Sequence, residues 1–167
     1  MQPDEVRELY EYLIETRARF VKKFREIGWA EFAKDRGATW GSMLGILLHM
    51  LDDEEHWLRV ATEGGSLSAT PDRKIEDYAG FEQVEEDTAR VAALTRSRLS
   101  AIASTDLAAP VTFTGKGEET FRFDTIVFHA WTDEVAHVGE LVCLLWQMDV
   151  RPPFIDWIDF RAPAPGA

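Results

Sequence analysis

The residues of this sequence best suited to bind a metal are its histidines, which number four and fall in two stretches. His49 and His56 lie about two helical turns apart in the first stretch. His129 and His137 have a similar separation in the second, with Asp133 midway. Side chains four residues apart on a helix can ligate one ion. Two imidazoles and one carboxylate suit a divalent ion such as zinc or nickel, with His49 or His56 as the ligand from the other helix.

Each histidine also has an ordinary interpretation. His56 follows the acidic run 52–55, and His129 precedes Asp133 by one turn, so ion pairing with an acid is the favoured interpretation for these two. His137 shares a helix face with apolar residues, where an imidazole needs a polar partner. Asp133 can be that partner without any metal, so the spacing leaves both interpretations open.

Four amphipathic stretches, with apolar residues at steps of three and four, predict the helices that carry these side chains. We expect the helices at about residues 3–27, 40–63, 81–104 and 125–148. Thr39 or Ser42 is expected to cap the second helix, and Asp124 the fourth. The pattern predicts an all-α protein that folds as a four-helix bundle.

The connections between the predicted helices differ in character. Residues 66–80 predict a long loop that acts as a crossover between the second and third helices. Residues 111–123 alternate around a Gly-containing turn, which predicts a short hairpin or extended segment before the fourth helix. We expect residues 1–160 to form one domain and residues 161–167 to form a flexible tail.

The charge of the chain argues against nucleic acids and anionic membranes as partners. Its 18 basic and 30 acidic residues give a formal net charge of −12, whereas nucleic-acid binders cluster Lys and Arg against phosphates. No apolar run has the length of a membrane span, and the N-terminus does not resemble a signal peptide, so we expect a cytoplasmic protein. The single cysteine, Cys143, excludes an internal disulfide and is expected to pack rather than react.

The fourth predicted helix carries a second apolar face, opposite His137. It consists of Phe128, Trp131, Val135, Val138, Val142 and Leu145. A helix that is apolar on two sides is either central or shared with a second subunit, so the pattern predicts a homodimer. Alternatively, the terminal segment 154–160 covers this face.

Two short strings of the sequence resemble the DinB/YfiT-like superfamily. One is Leu-Leu-His-Met-Leu-Asp at 47–52 followed by Glu54, and the other is Asp-Glu-Val-Ala-His-Val-Gly-Glu at 133–140. The helix exit at 148–153 is also similar to that of the family. The resemblance implies a four-helix bundle with its long connection between the second and third helices, and commonly a dimer.

The resemblance also implies a metal site with one ligand from the second helix and two from the fourth. The matching positions here are His49, Asp133 and His137. The family usually has histidine where this chain has Asp133, so the site either survives with an altered metal preference or has lost its metal. His129, one turn earlier, offers a replacement ligand.

Characterised members of the superfamily include thiol-dependent transferases and a mycothiol-dependent isomerase, in which the metal is thought to bind a low-molecular-weight thiol. The resemblance therefore implies a metal-dependent thiol S-transferase or a related hydrolase with a small-molecule substrate. Glu140 or His129 would orient a ligand or move a proton. The alternative is a non-catalytic dimeric helical protein that binds a small molecule or a protein partner.

Overall fold

The computed structural model describes residues 1–66, 71–115, 117–153 and 156–161. Its elements within these ranges are α1 (Pro3–Ile27), α2 (Trp29–Phe32), α3 (Met43–Glu63), β1 (Gly65–Ser66), α4 (Phe81–Ser100), β2 (Pro110–Thr114), β3 (Glu118–Arg122), α5 (Phe123–Gln147) and α6 (Trp157–Phe160). The chain is predominantly helical, as expected, and α1, α3, α4 and α5 form the bundle. Apart from Arg161, the tail expected at 161–167 lies outside the described residues.

The direction of each helix follows from the ion pairs between neighbours. Arg90 on α4 contacts Glu55 on α3, and eight residues later on each helix Arg98 contacts Glu63. The residue numbers therefore increase in the same direction along both helices, which are parallel. A connection between parallel neighbours must return along the bundle, which explains the long crossover that the sequence predicted between them. By the same reasoning α5 runs parallel to α1, and α3 and α5 are antiparallel.

A small sheet closes the end of the bundle where α3 stops. Strands β2 and β3 form an antiparallel hairpin in which Phe113 pairs with Glu119, and the sequence predicted this hairpin. The third strand, β1, pairs in parallel with β2 through Gly65 and Ser66. A strand of two residues is too short to produce a periodic pattern, so β1 was not predicted.

The apolar core consists of two clusters along the bundle axis. The first includes Phe20, Phe24, Phe32, Met43, Leu47, Leu51, Val91, Leu141 and Leu145. The second includes Val6, Tyr10, Leu58, Val60, Leu99, Phe113, Phe123 and Ile126, close to the sheet. Between these clusters along α1, α3 and α5 lie buried charged side chains, which the sequence showed only as a break in the apolar stripe of α1.

The buried charged cluster consists of one residue from each long helix: Arg17, Glu54, Thr95 and Glu134. Arg17 Nη1 donates to Glu54 Oε2 at 2.9 Å and to Glu134 Oε1 at 2.7 Å, while the Thr95 hydroxyl donates to Glu54. Burial raises the pKa of Glu134 well above its ordinary value, and Glu54 adds to this effect while Arg17 opposes it. One arginine therefore faces two buried carboxyl groups, and burial disfavours the charged form of Glu134.

The start of α3 differs from the sequence-based prediction. The helix begins at Met43 rather than near Trp40, because Gly41, with a φ of 76°, turns the chain just before it. Ser42 is the N-cap, and its hydroxyl accepts a hydrogen bond from the Gly45 N–H at 3.0 Å. Of the two caps expected for this helix, Ser42 is therefore the correct one.

Two further helix boundaries were predicted incorrectly. Helix α4 ends at Ser100 rather than Ser104, and Arg7 from α1 donates hydrogen bonds to the carbonyl groups of Ser100 and Ile102 at this end. The N-cap of α5 is Arg122, and Asp124 lies inside the first turn, where its carboxylate pairs with Arg122. A carboxylate in the first turn is stabilised by the helix dipole without being the cap.

The last helix of the described chain, α6, packs against α1. Tyr12 makes edge contacts with Trp157 and Phe160, with ring centroids 5.3 and 5.6 Å apart. This helix lies in the terminal segment 154–160, of which residues 154 and 155 lie outside the described residues. In the part of the chain that is described, no helix is long and apolar enough to cross a membrane.

Candidate metal centre

The candidate metal centre lies where α3 and α5 pass each other in opposite directions. Helix α3 places His49 and Asp53 one turn apart on the same side, and α5 does the same with Asp133 and His137. Because the helices are antiparallel, these two pairs meet across the α3–α5 contact. The sequence predicted that one imidazole from the second long helix would face an imidazole and a carboxylate from the fourth.

Three of these side chains converge on a common point. His49 Nε2 lies 3.4 Å from Asp133 Oδ2, and His137 Nε2 lies 3.6 Å from the same oxygen. The three atoms able to ligate a metal all lie within 4.8 Å of one another. All three residues are partly buried.

The arrangement fits a divalent ion. Zinc bonds of about 2.0–2.1 Å place neighbouring ligands of a tetrahedron about 3.3 Å apart, close to the two separations measured from Asp133 Oδ2. This oxygen is buried and has no hydrogen-bond partner among the described residues. A buried carboxylate oxygen without a partner is costly, and a cation between it and the two imidazole nitrogens would remove that cost.

The two imidazoles have different surroundings. Partial burial and the neighbouring His137 lower the pKa of His49, although Asp133 acts in the opposite direction. The neutral form of His49, which can ligate a metal, is therefore favoured at neutral pH. The ring of His49 also stacks on the indole of Trp40, with centroids 4.0 Å apart and an angle of 20° between the planes. This stacking fixes the orientation of the imidazole.

Glu140 lies behind His137 as seen from the centre. Its Oε2 is 3.1 Å from His137 Nδ1, and its Oε1 accepts a hydrogen bond from the Thr39 N–H at 2.9 Å. Burial alone would raise the pKa of Glu140, but the hydrogen bond from Thr39 and the contact with His137 lower it. A carboxylate on Nδ1 holds the proton there and leaves Nε2 free for a metal.

Asp53 lies beside the centre and was missed in the sequence. Both Asp133 and the Trp57 side chain interact with its carboxyl group. Partial burial and repulsion by Asp133 raise the pKa of Asp53 to about 7. The signal was available, because Asp53 follows His49 by the same four residues that separate Asp133 from His137. It was obscured because Asp53 stands in a run of acids.

The other candidate residues lie away from the converging atoms. His129 is not one of the three converging residues, and its exposed ring makes an edge contact with Trp57 at 5.0 Å. His56 is buried and also contacts Trp57 at 5.0 Å, so His49 rather than His56 belongs to the group. Cys143 is solvent-exposed, so the expectation that it packs was wrong.

Comparisons with known proteins agree with the architecture. A family model described as the DinB family matches residues 1–166 of the 167. No curated protein matches the chain. The match spans all the long helices, including both that supply the converging side chains.

Proposed function

The chain belongs to the DinB family, and from that premise we propose that it is a metal-dependent enzyme whose divalent ion is held by His49, Asp133 and His137. One observation carries the proposal: two imidazole nitrogens and an unpartnered carboxylate oxygen converge at the spacing of a tetrahedral site. This donor set suits zinc or nickel. Three protein ligands leave a position for a small molecule, as catalytic metal sites require.

The proposed reaction is the transfer of a low-molecular-weight thiol to an electrophile, or a related hydrolysis. A bound divalent ion lowers the pKa of a thiol or water that it coordinates, which produces a nucleophile near neutral pH. Glu140 acts as a positioning residue, because it fixes the tautomer of His137. His129 stands one turn before Asp133 with an exposed ring, where it can exchange a proton with a substrate.

Metal analysis of the full-length protein, purified without a histidine tag and incubated with zinc or nickel, tests the metal site. We expect about one equivalent per chain for the wild type, and less than about a tenth of one for His137→Ala. His129→Ala is the matched control and should keep its metal, because His129 lies outside the converging group. Less than a tenth of an equivalent in the wild type would contradict the metalloenzyme proposal.

Activity requires a separate assay. The metal-loaded protein is mixed with each of several low-molecular-weight thiols and a chromogenic electrophile, and the disappearance of the electrophile is followed. We expect one thiol to support turnover that chelation abolishes. If the protein binds metal but turns over neither the electrophile with any thiol nor a hydrolysable ester, the transferase and hydrolase assignments are overturned. The protein would then be a metal-binding protein without these activities.

A second candidate is a non-catalytic protein that binds a small molecule, and an apolar cavity of about 430 Å³ between α1 and α5 favours it. Two polar atoms of the residues that line it, Thr16 Oγ1 and Trp131 Nε1, are buried and have no hydrogen-bond partner within the described part of the chain. Gly139 lies in the same wall, with open space where a Cβ would be. Absence of metal from the wild type would favour this candidate.

We also propose that two copies associate through the outward face of α5. Of the residues expected on this face, Leu145 is buried in the core, and Val138 and Val142 pack against the core cluster. Phe128 and Val135 remain exposed, at 43% and 39%. Trp157 of α6 covers part of the adjacent cavity, so the two exposed residues are what supports an interface with a second copy.

A further inference from the structure

We propose that a second cavity, between the hairpin and the candidate metal centre, receives an uncharged aromatic ring of the substrate. This inference rests on the proposed function, because it assigns the part of the substrate that lies away from the metal. The cavity has a volume of about 290 Å³. Its lining residues are Trp57, Phe113, Glu119, Phe121, Thr125, Ile126 and His129.

The walls of this cavity are mainly aromatic. Phe113 and Ile126 are each 3% exposed and belong to the core, so they form a fixed floor. Phe121 stacks on Phe113 with centroids 5.9 Å apart and an angle of 21° between the planes. Trp57 meets Phe113 edge-on, at 5.8 Å and 76°. Flat rings in stacked and edge orientations present the contacts that another aromatic ring prefers.

The cavity adjoins the candidate metal centre through two helices. On α3, Trp57 lines the cavity and stands one turn after Asp53, with whose carboxyl group its side chain interacts. On α5, His129 lines the cavity one turn, or about 5.4 Å, before Asp133. The rings of Trp57 and His129 touch, with centroids 5.0 Å apart. The cavity and the centre are therefore neighbours along α3 and α5, and the proposal places the polar end of a small molecule at the metal and its other end in the cavity.

The charge of the lining indicates that the bound end of the substrate is uncharged. Glu119 is the acidic residue among the lining residues given above, and that set contains no lysine or arginine. A carboxylate or phosphate on the ring would face Glu119 and would meet neither lysine nor arginine among these described lining residues. The substrate class is thus an aromatic compound that carries its metal-binding group about one helical turn from an uncharged ring.

Two hydroxamates that differ by one phenyl ring test the inference. Acetohydroxamate and phenylacetohydroxamate present the same metal-binding group, and their affinities for the zinc-loaded, full-length protein are measured by calorimetry. We expect the phenyl compound to bind at least about tenfold more tightly, because its ring is removed from water in the cavity. Equal affinities would overturn the inference while leaving zinc binding, and with it the proposed function, intact.

A matched pair of variants locates the ring. Phe121 and Phe128 are 46% and 43% exposed, and each stacks on one aromatic neighbour, but only Phe121 lines this cavity. We expect Phe121→Ala to remove most of the preference for the phenyl compound and Phe128→Ala to keep it. Thr125→Trp, which blocks the cavity from α5, should act like Phe121→Ala if truncation disturbs the hairpin. A preference unchanged in both cavity variants would contradict the proposed location.

A metal-free measurement separates the two proposals. If the wild type takes up no zinc, the proposed function fails, and the cavity is tested alone with benzyl alcohol by saturation-transfer NMR. Transfer that is present in the wild type and in Phe128→Ala but lost in Phe121→Ala supports an aromatic site. Absence of transfer in the wild type overturns it.

Discussion

At the scale of single residues, Glu140 is the side chain that most directly controls the geometry of His137. It connects the imidazole to the Thr39 N–H, at the loop before α3, with contacts of 3.1 and 2.9 Å. The carboxylate therefore connects the loop before α3, which carries Trp40, to α5, which carries two of the proposed ligands. Its effect on a metal would be exerted through His137 rather than by contact.

Glu140→Gln should weaken zinc binding by about 10- to 100-fold. The neutral amide attracts the N–H at Nδ1 of His137 less strongly than the carboxylate does, so it holds the tautomer that leaves Nε2 free less firmly. Affinity is measured by competition with a chromophoric chelator. Glu15→Gln is the control, since that exposed carboxylate pairs with Arg19 on α1 and should leave the affinity unchanged. Equal affinities of Glu140→Gln and the wild type would show that Glu140 does not support the site.

Much of the converging group was predictable from residue spacing. The four-residue step from Asp133 to His137 placed both on one face, and the resemblance to the family selected His49. The role of Asp53 was not predicted, since a run of acids looks alike whether its members face solvent or a partner helix. Trp57 was missed because its contact with Asp53 depends on how the side chains pack.

At the scale of secondary structure elements, the buried charged cluster fixes how the long helices are aligned. Arg17 is 1% exposed and reaches Glu54 on α3 and Glu134 on α5. Sliding any of these helices by one turn would leave a buried charge without its partner, which is costly. The apolar clusters on either side could tolerate such a shift more easily, since apolar contacts are not directional.

Arg17→Met should destabilise the protein by about 3–5 kcal/mol, because it leaves two buried carboxyl groups without a cation. The free energy of unfolding is measured by urea denaturation. The triple variant Arg17→Met, Glu54→Leu, Glu134→Leu removes all three charged members of the cluster and should regain most of the loss. A cost below about 1 kcal/mol for Arg17→Met would show that the cluster contributes little to folding.

The loop before α4 is held by a second ionic cluster around Arg73. Its guanidinium contacts Asp52 and Glu55 on α3 and Asp87 on α4. Burial alone would raise the pKa of Asp87, but hydrogen bonds from Arg73 and Tyr78 lower it to about 2. The folded state thus favours the ionised carboxylate of Asp87 relative to the unfolded chain.

This shift predicts a pH-dependent contribution to stability. The contribution of Asp87 is fully present above its ordinary pKa of 3.8 and is lost as the pH falls toward 2. Asp87→Asn should therefore cost about 1 kcal/mol at pH 6, allowing for partial solvent screening, and less at pH 3. Urea denaturation at both pH values measures the difference. Asp72→Asn, on the same loop, is the exposed control and should change stability by less than about 0.5 kcal/mol.

The long helices and the hairpin were predictable, whereas their ends and the shortest elements were not. A period of three to four residues over more than 20 positions identifies a helix, and Gly28 and Gly64 marked two of the ends. The start of α3 depended on the backbone conformation at Gly41, which the residue type alone does not determine. The packing of α2 and the pairing of β1 arise only from tertiary contacts.

At the scale of the whole molecule, the order of helices around the bundle separates two surfaces of α5. One surface faces α3 and carries the candidate metal centre, and the other borders α1 and the larger apolar cavity. Both surfaces use the same rigid helix. An interface on the α1 side would therefore bury Phe128 and Val135 and would not cover the surface of α5 that carries the centre.

A charged substitution on that side tests whether two copies associate there. Val135→Arg should convert the dimer to a 19 kDa monomer in sedimentation at high micromolar concentration, because an interface cannot readily bury an unpaired cation. Ile75→Arg is the matched control, since Ile75 is 38% exposed against 39% for Val135 and lies on the loop before α4. This control should remain dimeric. A wild-type protein that sediments as a monomer would contradict the dimer, and a dimer unaffected by Val135→Arg would place the interface on another face.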